Sequence, residues 1–304
     1  MVKVELEKMT WPEVAERARE DPLTPVVVLF SSTEQHGRHL PLNTDAFATK
    51  KLWVTAAELV AEEAKPLLTP LVPFDVAWEH MGYPGTITLT RETMTRIAKE
   101  IVRSLYLGSG FRKFALVPGC DGQGPGLAMQ VAALELYEEF GPEIILFVWS
   151  GVLAWSGGIG GAFATAEEVE LLTKKMNLKP KEWMTEHAGE SETSTSMAWG
   201  NPDVNMREAV DTDVKREWVG LPSDTDWNWF RKLNPFATWP FPRFKERGPQ
   251  VAEAGSIGRA TLGTKEKGIP AVELSVQQVA RFLRWYKKLK MPARSQPDHR
   301  YLFP

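Results

Sequence analysis

The chain has 304 residues, 43% of them apolar and 25% charged, with a formal net charge of −3 and a single cysteine. That composition describes a folded globular protein with a sizeable core. It excludes an internal disulfide framework and supplies no basic excess for nucleic acid or an anionic membrane surface. The opening residues Lys3, Glu5, Glu7 and Lys8 leave no apolar stretch of signal-peptide length, and no run is long enough to span a bilayer. The expectation is a cytoplasmic protein, with neither nucleic acid nor membrane as partner.

In chain order, Pro25 to Phe30 reads as a short, β-branched buried strand. Asp45 to Lys65 carries Phe47, Leu52, Ala56, Leu59 and Val60 at helical spacing, ended by Pro66, and Leu67 to Val72 reads as the next strand. Thr90 is placed to cap a helix with Glu92 in its first turn and one apolar stripe of Met94, Ile97, Ile101 and Leu105. A strand at 114–118, a helix at 126–140 and a strand at 144–149 follow. This alternation predicts an α/β fold: a three-layer α/β/α arrangement around a mostly parallel central sheet, in one domain over 1–304.

Past residue 150 the pattern loosens. Five glycines between 151 and 161 precede a short charged helix at Ala166 to Lys175. The stretch 205–250, richest in Pro, Trp and charge after Asp211, reads as a long functional loop or insertion. A strand near Ala271 to Leu274, a helix from Ser275 to Leu289 and an extended tail over 291–304 complete the expectation.

The densest chemistry lies in Ser32-Thr33-Glu34-Gln35-His36-Gly37-Arg38-His39-Leu40-Pro41-Leu42-Asn43-Thr44-Asp45. It follows the first strand directly, where open α/β sheets place their ligands. Glu34 and His36 have period-two spacing, so an extended backbone projects both to one side. Glu, His and Asp together suit a divalent cation of borderline hardness, zinc or manganese. An isolated E-x-H is more often a polar loop, so the wider pattern decides.

The segment resembles the first motif of the creatininase family, metal-dependent hydrolases with G-S-x-E-Q-H-G-x-H-L-P-L-x-T-D. Glu79-His80 with Tyr83-Pro84-Gly85-Thr86 resembles the family's second block, and His187-Ala188-Gly189-Glu190-Ser191-Glu192-Thr193-Ser194 its H-A-G-x-x-E-T-S block. Met9-Thr10-Trp11-Pro12 resembles its first helix. One motif departs: N-G-H-G-G-N is replaced by Gly119-Cys120-Asp121-Gly122-Gln123-Gly124, with Asp121 aligned to the ligand His.

The resemblance implies two divalent ions, Zn or Mn. Asp45 bridges them, Glu34 and Asp121 complete one site, and His36 and Glu192 the other. It makes His187 the proton shuttle, with Glu34 catalytic beside it. Arg38, His80, Gln123 and Trp155 become candidate substrate contacts, and His39 a support for the ligand loop. Cys120 reads as a small buried residue, not a nucleophile. The chemistry implied is hydrolysis of an amide in a small polar cyclic molecule. The alternatives are carbon–carbon hydrolysis of a cyclic diketone such as 3-dehydro-scyllo-inosose, and a non-catalytic binding module with a degraded metal site. Assembly as a homo-oligomer, a hexamer by resemblance, is also implied.

Overall fold

Unbroken runs of β-branched residues suit strands covered on both faces, and the computed structural model shows that arrangement. It describes residues 2–120, 123–148, 167–168, 171, 174, 187–212, 243–246 and 248–290. Helix α1 (Trp11–Glu20) leads into β1 (Pro25–Leu29), and α2 (Thr44–Leu59) follows, with a further turn at Ala61–Ala64. Then come β2 (Leu67–Leu68), α3 (Arg91–Ser109), β3 (Lys113–Val117), α4 (Gln123–Phe140) and β4 (Ile145–Val148). The strands pair in the order β2-β1-β3-β4, all parallel, with Val27 opposite Ala115 and Ala115 opposite Phe147.

Alternate residues of each strand feed two separate cores. Val27, Leu29, Ala115 and Val117 pack with Leu52, Trp53 and Ala56 of α2 and with Val279, Phe282 and Leu283 of a long C-terminal helix. Val26, Val28, Phe114 and Leu116 pack with Met94, Ala98 and Val102 of α3 and Met129 and Ala132 of α4. The result is the three-layer α/β/α fold. Thr90 caps α3 as expected, its hydroxyl accepting from Thr93 N at 3.1 Å.

The second half is more structured than its composition implies. Helix α5 (Glu190–Ala198) is followed by β5 (Asp211–Thr212), α6 (Pro249–Ala254) and β6 (Gly258–Arg259), the two strands pairing antiparallel. The expected structureless stretch therefore contains regular elements at both of its described ends. The strand expected near Ala271 to Leu274 is absent: those residues lie inside α7 (Lys265–Lys288). The Gly268-Ile269-Pro270 sequence imitates a break, but Ala271, Ser275, Val279 and Leu283 recur every fourth residue and are buried. The expected strand 67–72 shortens to two residues plus a single bridge between Phe30 and Val72, and α4 begins three residues earlier than expected, with Pro125 tolerated in its first turn.

The end of α7 is tied to the sheet by one side chain. Lys113, fully buried at the start of β3, donates through Nζ to the carbonyls of Tyr286 (2.9 Å), Lys287 (3.1 Å) and Leu289. These carbonyls lie at a helix C-terminus, where intrahelical donors run out; Leu289 N also reaches Tyr286 O at 3.2 Å. Lys113→Met keeps the apolar stem and removes the charged donor these carbonyls share. It is expected to cost about 2–3 kcal/mol, a fall in melting temperature of roughly 5–10 °C, read by thermal denaturation.

Candidate active site

The site forms where β1 ends. Phe30 N still bonds Val117 O and Ser31 N bonds Val72 O (both 2.9 Å), so the chain leaves the sheet in a fixed direction. Ser32 Oγ donates to Asp45 Oδ2, tying the strand end to the first turn of α2. Glu34 N is held by Leu42 O at 3.1 Å, and Gly37 turns the chain at φ +66°, a conformation that favours glycine. Glu34, His36 and Asp45 end up within 2% of full burial.

Glu192 arrives from the other half of the chain, in the first turn of α5. Ala188 N donates to its carboxylate, with Ala188 at φ +50°, an unfavourable backbone for a residue with a Cβ. His39 Nε2 and Thr193 Oγ1, 2.8 Å apart, join the motif loop to α5. Burial, and then the charge of His36, pushes His39 down to about 4, so it serves as a neutral hydrogen-bonding strut.

His36 Nε2 lies 3.3 Å from Asp45 Oδ1 and 3.6 Å from Glu192 Oε1. Its Nδ1 is 3.1 Å from the Glu34 carbonyl. A carbonyl only accepts, so Nδ1 carries a proton, and Nε2, which faces the carboxylates, carries the second proton when the imidazole is charged. Burial disfavours charge on His36, yet Asp45 and Glu192 outweigh it and hold the imidazole well above its usual range. Glu34 is pushed well above the carboxylate range by burial first and the Asp45 charge second.

Gln35 organises the remaining imidazoles. Its Oε1 accepts from Gly37 N at 3.0 Å, which fixes the amide orientation, so its NH₂ donates to His80 Nδ1 at 3.0 Å. His80 therefore carries its proton on Nε2, 3.4 Å from Glu34 Oε1. The Gln35 carbonyl accepts from His187 Nε2 at 2.6 Å. The His187 ring lies 4.4 Å from that of His36 and 4.3 Å from that of His80. Phe244 covers the pair at 4.5 Å from His80 and 4.8 Å from His187.

Of the residues expected at the site, Glu34, His36, Asp45, His80, His187 and Glu192 converge. Arg38 does not: its side chain is half exposed and pairs with Glu208 at 3.1 Å. The turn at Gly37 directs position 38 outward. Asp121, Trp155 and the Gln123 side chain lie outside the described residues, as do the tail and all of 213–242. From the described part of the 119–124 loop, Cys120 meets Glu34 and Asp45, with Sγ 3.5 Å from Glu34 Oε1. Burial, and then the charges of Glu34 and Asp45, raises its thiol well above the ordinary range.

Asp75 also went unread in the sequence. It is fully buried, neither carboxylate oxygen has a hydrogen-bond partner among the described residues, and burial followed by Asp45 and Glu79 raises its carboxyl. Gln35 was legible as part of the first motif, but its role depends on contacts that only the fold reveals. Phe244 sits in an aperiodic stretch and carried no signal.

A family model described as creatininase, creatinine amidohydrolase, matches residues 7–283. A 3-dehydro-scyllo-inosose hydrolase of Thermotoga maritima is 26% identical over 283 residues, covering 92% of this chain and 83% of that protein. A mycofactocin precursor peptide peptidase of Mycobacterium tuberculosis is 33% identical over 115 residues, 36% of this chain and 45% of that protein. A crystal structure of creatinine amidohydrolase superposes with a TM-score of 0.69 at 21% identity, covering 95% of this chain and 100% of that chain. Creatininase structures of a manganese form and of a mutant of Zn-Zn type superpose at 0.67 and 0.66, with 22% and 21% identity, each covering 94% of this chain and 100% of theirs. Those likenesses show a shared fold. With the family match running from before α1 into the last turns of α7, this chain belongs to the creatininase family and is a hydrolase.

Proposed function

We propose that the chain is a divalent-metal-dependent hydrolase that directs water onto a carbonyl of a small, polar, cyclic substrate. One observation carries the reading: Glu34, His36, Asp45 and Glu192 meet below the surface with two more imidazoles against them. Among the described residues, the buried Glu34 Oε2 and His36 Nε2 have no hydrogen-bond partner. Leaving such groups unpaired is costly, and several like charges at one site repel one another. A cation removes both penalties, so these residues fit a divalent ion. Oxygen and imidazole donors in this mixture suit zinc or manganese.

In this reading Glu34, Asp45, His36 and Glu192 hold one or two ions, with Asp45 placed between the two halves of the donor set. When bound, such ions supply Lewis acidity toward a carbonyl oxygen and lower the pKa of water. The other steps fall to the chain itself. Ser32 fixes Asp45, and the Glu34 carbonyl fixes the His36 tautomer. His187 keeps its Nε2 proton on the Gln35 carbonyl, so Nδ1 is the atom that takes up and returns a proton. The Gln35 carbonyl at 2.6 Å then stabilises the imidazolium that forms. His80, proton on Nε2, sits beside the Glu34 carboxylate, and Phe244 keeps bulk water from both rings.

A second reading concerns the bond broken. The relative matched along nearly the whole chain is an inosose hydrolase, which favours a cyclic diketone over an amide. Water adds its oxygen to one carbonyl carbon, the bond to the carbon between the carbonyls breaks, and that carbon takes a proton. The product is one open chain that carries both a carboxylate and a ketone. Zinc- or manganese-loaded protein assayed in parallel on cyclic amides and cyclic polyhydroxylated 1,3-diketones is expected to open one class. Failure on both, with metal shown to be bound, overturns the reading.

A further inference from the structure

We propose that Cys120 is a metal ligand of this chain, giving one of its cation positions a donor set of Glu34, Asp45 and a thiolate sulfur. The inference rests on the metal-dependent reading above and extends it to a residue and a metal preference.

The placement comes from the backbone. At Gly119 a Cβ would lie 2.5 Å from the Phe30 carbonyl, 2.5 Å from Thr49 Oγ1 and 2.7 Å from Ser31 Oγ. The loop after β3 is therefore pressed flat against the end of β1 and the flank of α2. Those are the two elements that carry Glu34 and Asp45, and the next side chain along the loop is set between them. Ligand atoms of Glu34, Asp45 and Cys120 all lie within 4.8 Å of one another. The Sγ to Glu34 Oε1 separation is 3.5 Å. Sulfur at about 2.3 Å and oxygen at about 2.0 Å from a tetrahedral zinc are themselves about 3.5 Å apart.

A second observation points to a ligand. Glu34 is 1% exposed, and Oε2 of the carboxylate that touches Sγ has no hydrogen-bond partner among the described residues. A thiol is a weak donor and satisfies at most one of that group's lone pairs. A cation held between sulfur and carboxylates satisfies both oxygens and loses the S–H proton to solvent. The nucleophile reading lacks the partner it needs: among the described residues the metal-type cluster around Cys120 contains carboxylates and no imidazole.

The consequence is selectivity. A thiolate is a soft donor, so the site takes zinc or cobalt over manganese more strongly than oxygen and nitrogen donors alone would. Cys120 is the chain's single cysteine, so any sulfur-to-metal signal has one source. Metal-free protein is titrated with Co²⁺, and the near-ultraviolet thiolate-to-cobalt charge-transfer band is recorded beside bound cobalt measured by elemental analysis. The band is expected at full strength in the wild-type protein and absent from Cys120→Ser, which still binds cobalt through its remaining donors. The preference for zinc over manganese, from competition, is expected to fall about 10- to 100-fold in the variant.

Should the variant not fold, the wild-type protein still decides. Zinc is expected to slow iodoacetamide alkylation of Cys120 at least tenfold, and prior alkylation to abolish the band. Cobalt bound in stoichiometric amount without the band overturns the ligand and leaves the metal-dependent reading standing. No uptake of cobalt, zinc or manganese overturns both.

Discussion

Replacing Asp45 by Asn, or Glu34 by Gln, is expected to cut turnover by roughly 10³-fold or more with the fold retained, because an ion at such a site supplies several kcal/mol of transition-state stabilisation. Both changes conserve shape. The amide introduced at position 45 still offers an oxygen to Ser32 Oγ, and the one introduced at position 34 an oxygen to His80 Nε2, so neither opens a cavity. Each removes one negative charge from the cluster, and divalent-ion uptake measured by elemental analysis should fall with activity.

The metal-free proteins should diverge in the opposite direction. Burial and Asp45 raise the Glu34 carboxyl above its ordinary range, so ionising it costs stability in the fold. An acid with a raised folded pKa binds its proton more tightly in the native state, and stability falls as pH rises through that value. Without metal, Glu34→Gln is therefore expected to melt higher than the wild type at pH 8. The advantage should shrink toward pH 4.5, where the native state keeps Glu34 protonated and the unfolded chain approaches its own carboxylate pKa. Melting curves at the two pH values, with and without zinc, check this. Full activity in both variants, or unaltered metal uptake, would refute the assignment of these carboxylates.

How far the sequence revealed this site varies with the element. The βαβ alternation was legible because buried strands and amphipathic helices leave distinct periodicities, and Thr90 marked the start of α3 correctly. Glu34, His36 and Asp45 were legible as a group because one short loop and one helix start carry them. Glu192 could be joined to them only through the family pattern, since nothing in local spacing ties residue 192 to residue 36.

The departures have physical causes. In the loop from Gly119 to Gly124, sequence alone does not settle which of two adjacent side chains faces the carboxylates. The packing of Gly119 against Phe30 and Thr49 turns Cys120 toward them. Arg38 looked like a substrate contact because it lies between two motif histidines, but the left-handed turn at Gly37 sends it to Glu208. Asp75 escaped notice because its burial depends on tertiary packing. Ala271 to Leu274 looked extended because Pro270 imitates a boundary, whereas packing against the sheet and α5 continues the helix through it.

Gly268→Ala should reverse the usual sign of a helix-interior glycine substitution. In an open helix the change stabilises by about 1 kcal/mol. At Gly268, however, a Cβ would sit 2.0 Å from the carbonyl oxygen of Ser194, 2.4 Å from its carbon and 2.8 Å from Thr195 N. These are backbone atoms of α5 that cannot swing aside, so the two helices must separate. Overpacking of this kind is expected to cost about 3 kcal/mol, roughly 6–12 °C in melting temperature. The displaced helix carries Glu192, whose carboxylate faces His36, and Thr193, which braces His39. A shift that enlarges the 3.6 Å gap to His36 should lower divalent-ion affinity about 10- to 100-fold, the scale seen when supporting contacts of a metal site are lost. Gly108, in α3 with nothing within 4 Å of its would-be Cβ, supplies the control, and Gly108→Ala is expected to be neutral or stabilising. If Gly268→Ala instead matches Gly108→Ala in melting temperature and metal affinity, the close crossing of α5 and α7 does not set the position of Glu192.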